Sequence, residues 1–113
     1  MAISVEDNPG KLRYEIRDDG RLAGYTMYTL RDDVADFVHT EVFPRFEGRG
    51  LASVLVRDAL DDVRRRGWSI RTTCPYVRRF VEEHPEYRDL VAQNIGAGGG
   101  VAFGSTTQVK SAT

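Results

Sequence analysis

The sequence predicts an α/β fold, more narrowly α+β: a mixed, mainly antiparallel sheet of about five strands with two main helices. Three observations predict it. Apolar and polar residues alternate in short runs from Leu12 to Val42, interrupted by an Asp-Gly turn. The period then lengthens to that of a helix between Gly50 and Arg66. A strand-like run, Trp68 to Thr72, and a second helical run after Pro75 follow. A chain of 113 residues suits one domain, and 41% hydrophobic residues supply one modest core.

Taken in order, Ile3 to Val5 forms a short first strand and Asn8-Pro9-Gly10 a turn. From Leu12 to Arg17, Leu12, Tyr14 and Ile16 share one face and Arg13, Glu15 and Arg17 the other. Asp18-Asp19-Gly20 reads as a hairpin turn. The next strand, Arg21 to Leu30, sets Leu22, Gly24, Thr26 and Tyr28 against Ala23, Tyr25, Met27 and Thr29. Arg31-Asp32-Asp33 turns the chain again, and Asp36 to Val42 is the fourth strand. Ala52, Leu55, Val56, Ala59 and Val63 then follow helical spacing. Arg64, Arg65 and Arg66 suit the negative end of that helix as solvated charges, and Gly67 is a natural stop. A crossover helix makes the fourth and fifth strands parallel. In the second helix Val77, Phe80, Val81 and His84 share a face, Arg78–Glu82 and Arg79–Glu83 are spaced to pair, and His84-Pro85 ends the run. Residues 1–94 form the predicted domain. Residues 95–113, rich in Gly, Ser, Thr and Ala, read as a flexible tail without convincing strands.

Composition narrows the function. A net charge of −1 and a pI near 6.1 argue against a nucleic-acid binder that relies on bulk positive charge. One cysteine allows no intramolecular disulfide, which suits a reducing cytosol. The N-terminus has no basic region followed by an apolar run, and no stretch approaches membrane-spanning length. The expected location is therefore cytoplasmic. Two histidines and one cysteine at these spacings make no credible zinc site, so no metal is expected.

The most informative stretch is His39 to Ala52, HTEVFPRFEGRGLA. A strand ends at Val42, a loop with Pro44, Gly48 and Gly50 follows, and a helix begins near Leu51. Glycines let backbone approach a ligand closely, and a helix N-terminus presents unpaired N–H groups to an anion. Arg45 and Arg49 add positive charge at the same place. A plain strand-to-helix turn with surface arginines is the rival reading; the coincidence of loop, helix start and arginines favours a phosphate cradle. A dinucleotide fingerprint fails, because Ser53 stands at the third glycine position and a meander precedes the loop.

The spacing Arg45-x-x-Gly48-x-Gly50 resembles the Arg/Gln-x-x-Gly-x-Gly/Ala signature of the GNAT superfamily of N-acetyltransferases, and Val42 and Pro44 resemble the Val-x-Pro before it. The likeness extends over roughly Tyr14 to Val91. Cys74-Pro75-Tyr76-Val77 resembles a small single-domain subfamily with a cysteine close to the acetyl group. The resemblance implies acetyl-CoA (coenzyme A) as co-substrate, without a metal, and an unidentified amine as acceptor. The superfamily pattern assigns the coenzyme to Val42, Phe43, Arg45, Gly48, Arg49, Gly50, Leu51 and Ala52. Backbone groups near Glu41 to Phe43 would hold the pantetheine arm. Larger relatives insert helices after the first strand and add strands after the last helix, and those elements help build the acceptor pocket. Here the coenzyme half looks retained and the acceptor half reduced, which hints at a macromolecular acceptor.

Three residues are candidates for the chemistry. Cys74 follows a strand and precedes Pro75, a favoured first helical residue, so its sulfur lies near a positive helix end that favours the thiolate. It either carries the acetyl group as acetyl-Cys74 or fills space beside a direct transfer. His39 and Glu41 share a strand face, and either can accept the amine proton; His39 ranks first by its ordinary titration range. Each also has a structural reading, His39 as a hydrogen-bonded strand residue and Glu41 as a partner for an arginine. Thr40 faces the other way and is expected only to pack, and Tyr76 is expected to pack on the sheet rather than to donate a proton to the leaving thiolate. The competing functions are a non-catalytic acyl-CoA binding or sensing module and a subunit whose acceptor site comes from a partner.

Overall fold

Two tight turns organise the antiparallel part of the sheet. Asp19 and Gly20 close one with φ of 51° and 83°; Asp32 and Asp33 close the other with 51° and 61°. Paired positive φ values match the twist of the strands they join. The computed structural model describes residues 2–92, and the predicted tail lies outside the described residues. The strands are β1 (Ile3–Asn8), β2 (Arg13–Asp18), β3 (Arg21–Arg31), β4 (Val34–Val42) and β5 (Ser69–Thr72). They form one sheet in sequence order, antiparallel up to β4, with β5 parallel to β4.

Several boundaries differ from the sequence reading for reasons of pairing. β1 runs on to Asn8 because β2 supplies a full partner, Ile3 opposite Asp18 and Asn8 opposite Arg13. Leu12 leaves the strand: it takes a φ of 53° to close the turn after Pro9–Lys11 and is 44% exposed. Two register shifts were not visible in the alternation. One leaves Ala23 extra on β3, and the other leaves Val38 extra on β4. A one-residue shift exchanges the faces of everything beyond it. Gly24, Thr26 and Tyr28 therefore stay with the buried face, while Leu22 changes sides.

Helix α1 (Leu51–Arg66) turns Leu55, Val56, Ala59, Leu60 and Val63 fully inward. Each such side chain contributes roughly 1.5–3 kcal/mol, somewhat less for alanine. Helix α2 (Pro75–Glu83) buries Val77, Phe80 and Val81, and a 3-10 segment, Pro85–Leu90, follows. Both helices lie on the same face. Tyr14 on β2 donates its hydroxyl to Asp62 of α1 (2.6 Å), Tyr87 donates to Asp61 of α1 (2.8 Å), and Arg57 of α1 lies over Phe80. Among the described residues no helix covers the opposite face of the sheet, where Arg13, Tyr25, Met27, His39 and Glu41 stand in register.

The arginine triplet does more than complement the helix end. Arg66 pairs with Asp62 (2.9 Å) and Asp7 (3.1 Å), and Arg64 with Asp89 (2.8 Å), so the triplet ties α1 to β1 and to the last segment. The expected Arg78–Glu82 and Arg79–Glu83 pairs do not form among the described residues. His84 does cover the inner face of α2, stacked on Phe80 at 4.0 Å. After that segment the chain returns to β5: Ala92 donates its N–H to Ile70 O (2.8 Å), and Val91 bridges Ile70 in parallel.

Candidate active site

Strand β4 outlasts its parallel neighbour. Its ladder with β5 runs from Val34–Ser69 to Phe37–Thr72, and the Cys74 N–H closes it on Phe37 O at 2.7 Å. The chain then turns into α2, while β4 continues through Val38 to Val42. A gap opens between them. Phe43 gives its N–H to Ala23 O (2.8 Å), on the β3 side. By strand alternation the backbone groups of Val42 and Thr40 turn the other way, toward the gap. This corrects the expectation for Phe43, whose amide is used within the sheet. The close approach at this end depends on Gly24, where a methyl group would collide with the Glu41 carbonyl and sit 3.0 Å from Val42 Cα.

The loop and the helix start proposed as a cradle lie side by side at the end of β4. Phe46 anchors the loop in the core, and Gly50 takes a φ of 72° at the N-cap of α1. Among the described residues no side chain caps the helix, and the first intrahelical bond is Val54 N–H to Gly50 O (3.4 Å). The N–H groups of Leu51, Ala52 and Ser53 precede that bond and have no partner within the helix. A recess of about 190 Å³ opens there, lined by Val42, Glu47, Gly48, Gly50, Leu51, Ala52, Ser53 and, across it on α2, Tyr76. Burial, and then the charge of Glu83, pushes the Tyr76 hydroxyl above its ordinary titration range.

The two arginines differ. Arg45 stays on the exposed loop, stacked over Phe46 at 5.4 Å. Arg49 reaches back to the buried carboxylate of Asp18 at the end of β2 (2.8 Å). It ties the loop to the sheet, a role that nothing local in the sequence announces, since Asp18 reads as part of a hairpin turn.

The three chemical candidates fall on two faces. His39 and Glu41 lie on the outer face with their side chains 55% and 44% exposed, Nε2 and Oε1 3.3 Å apart. Tyr25 donates its hydroxyl to the same Glu41 oxygen (3.1 Å). Burial, and then that hydrogen bond, raises the Tyr25 hydroxyl above its ordinary range. Cys74 is on the helix face, 3% exposed, with Sγ 3.5 Å from Thr40 Oγ1. Thr40 in turn lies 2.9 Å from Thr26 Oγ1. The expectation that Thr40 only packs is overturned. The bulge at Val38 sets the phase in which Thr40 faces Cys74, and the local alternation does not reveal it.

A family model described as GCN5-related N-acetyl-transferase matches residues 13–90. The chain belongs to this family. Among relatives of this GCN5-related chain are proteins called NATD1. The one from Xenopus tropicalis is 40% identical over 87 residues, covering 74% of this chain and 79% of the relative. The one from Danio rerio is 36% identical over 93 residues, covering 79% and 84%. The match to the Bos taurus protein, 40% over 52 residues, spans only 46% of either chain. Solved structures share the fold. A GCN5-like protein from Staphylococcus aureus superposes with a TM-score of 0.60 at 18% identity, covering 79% of this chain and 87% of that one. The ribosomal-protein-S18-alanine N-acetyltransferase of Escherichia coli gives 0.55 at 17% identity, covering 68% and 53%. N-acetylglutamate synthase from Neisseria gonorrhoeae, solved with coenzyme A and N-acetyl-glutamate, gives 0.52 at 16% identity, covering 77% and 26%. The mixed sheet and paired helices are thus the GNAT arrangement.

Proposed function

We propose that this protein transfers an acetyl group from acetyl-CoA to an amine through acetyl-Cys74. One observation carries the reading. The recess at the N-terminus of α1 is lined by Val42 at the end of β4 and by Tyr76 of α2, and two residues from each of these, where β4 runs on past β5, Thr40 meets Cys74. Coenzyme A in the Neisseria neighbour supports the choice of ligand. The pyrophosphate meets the N–H groups of Gly50 to Ser53 with Arg45 nearby, and pantetheine follows the backbone of Val42 and Thr40.

In the first step the Cys74 thiolate attacks the thioester carbonyl. A new carbon–sulfur bond forms, the bond to coenzyme A breaks, and the departing thiolate takes up a proton. In the second a neutral amine, reaching from the outer face through the gap where β4 leaves β5, attacks acetyl-Cys74. A carbon–nitrogen bond forms, Cys74 leaves as thiolate, and the amine proton passes to His39 or Glu41. The open outer face suits a macromolecular amine that brings its own surface. The same openness supports a second reading, a coenzyme-binding module or a subunit whose partner completes the acceptor site. The protein acts in the cytoplasm on this proposal, and its working unit is residues 1–94.

Mass spectrometry tests both readings. The protein mixed with acetyl-CoA is expected to carry coenzyme in its native spectrum and an acetyl increment on Cys74 after denaturation. Bound coenzyme without the increment sinks the covalent route, and no binding sinks the ligand assignment.

A further inference from the structure

The Cys74 thiol is not alone among the buried groups around it. Among the described residues Thr40 is the sole hydrogen-bond partner of Sγ, at 3.5 Å, and Thr26 lies 2.9 Å behind Thr40. Both threonines project from the helix face of the sheet, while His39 and Glu41 project from the other. Thr26 is fully buried, and among the described residues its hydroxyl has no hydrogen-bond partner but Thr40. A buried hydroxyl hydrogen needs an acceptor, so Thr26 donates to Thr40 Oγ1. That leaves the hydrogen of Thr40 for one of two places, the sulfur of Cys74 or the gap where β4 leaves β5. When the sulfur is a thiol it donates to Thr40. When it is a thiolate the direction reverses, and both contacts of the chain are filled by the two hydroxyl hydrogens that remain. The row Thr26, Thr40, Sγ is therefore completely matched in the form that attacks a thioester. Hydrogen bonds in such a row reinforce one another away from water.

We propose that Thr40 is the positioning residue of Cys74, giving its hydroxyl hydrogen to the thiolate while Thr26 donates to Thr40 Oγ1. This rests on the reading of Cys74 as the acetyl carrier. The chain holds one cysteine, so alkylation by iodoacetamide reports on this sulfur without interference.

The test compares the pH profile of alkylation in the wild type, Thr40→Val, Thr40→Ser and Thr26→Val, all without acetyl-CoA. Loss of a hydrogen bond to the charged form moves a profile toward alkaline pH. The expected midpoint for Thr40→Val lies about one unit higher than wild type, with roughly tenfold slower alkylation near neutral pH. Thr40→Ser restores the profile, and Thr26→Val moves it by less than Thr40→Val. A Thr40→Val profile that superposes on wild type overturns the proposal. If that variant does not fold, Thr40→Ala is measured the same way with the same expectation. A separate incubation with acetyl-CoA tells the two ideas apart. A shifted profile with no acetyl-Cys74 in the wild type ends the covalent route and keeps Thr40 as the partner of the sulfur. Acetyl-Cys74 in the wild type with an unchanged Thr40→Val profile does the reverse.

Discussion

On the helix side of β4, Phe37 is 1% exposed between Tyr14 and Tyr28, and Thr40 meets Cys74. On the other side, one residue from Thr40, His39 and Glu41 stand about half exposed. The same strand thus presents a packed wall and an open one. The packed side can hold a sulfur in one orientation because its neighbours are fixed by burial. The open side is accessible, and among the described residues His39 and Glu41 are hydrogen-bonded only to one another and to Tyr25. On the proposed function, two demands of acyl transfer, a fixed donor and an accessible acceptor, would be divided between the faces.

The contrast breaks most visibly in stability. Phe37→Ala should cost about 3–5 kcal/mol in denaturant unfolding, whereas Tyr25→Ala on the open face should cost about 1 kcal/mol or less. Equal losses would mean that the outer face is also a packed core. Next comes the split of the reaction. His39→Ala combined with Glu41→Gln should slow transfer from acetyl-Cys74 to an amine on the order of 10²-fold while leaving formation of acetyl-Cys74 unchanged. Stopped-flow release of coenzyme A against amide formation separates the two steps, and a slowed first step would put these groups on the donor side.

The arginines sharpen the comparison further. Arg49→Ala leaves the Asp18 carboxylate buried without its cation and should lower both stability, by about 1–3 kcal/mol, and coenzyme affinity. Arg45→Ala should weaken coenzyme binding several-fold and leave the melting temperature within about two degrees. Calorimetric titration beside thermal unfolding checks both. The smallest effect is at high pH. Burial, and then hydrogen bonds to Asp62, Asp7 and Asp61, raises the hydroxyls of Tyr14, Tyr28 and Tyr87, the last up to about 12. The folded chain keeps these protons longer than the unfolded chain, so stability holds below pH 10 and falls as pH rises toward 12. Phenolate absorbance for these three should rise together with loss of the helix signal. Ionisation near pH 10 in the folded state would show that the packed side is looser than its contacts imply.

Much of this molecule is legible in its local residue pattern. Asp19-Gly20 and Asp32-Asp33 mark their turns because few other residues tolerate that backbone. The helical spacing of α1, its stop at Gly67 and the uncapped start at Gly50 follow from side-chain periodicity and from glycine alone. Those local rules mark the loop that leads into α1 and set Cys74 at the head of α2. They stop short of the two bulges, because Ala23 and Val38 are extra only relative to a partner strand. They also miss Asp18 holding Arg49 across 31 positions of chain and Thr40 holding Cys74 across 34. The sequence by itself therefore determined the elements, their order and the glycine-containing loop that starts α1. Only the tertiary structure decided which face each β4 side chain occupies, since that depends on register, and register is a property of two strands at once.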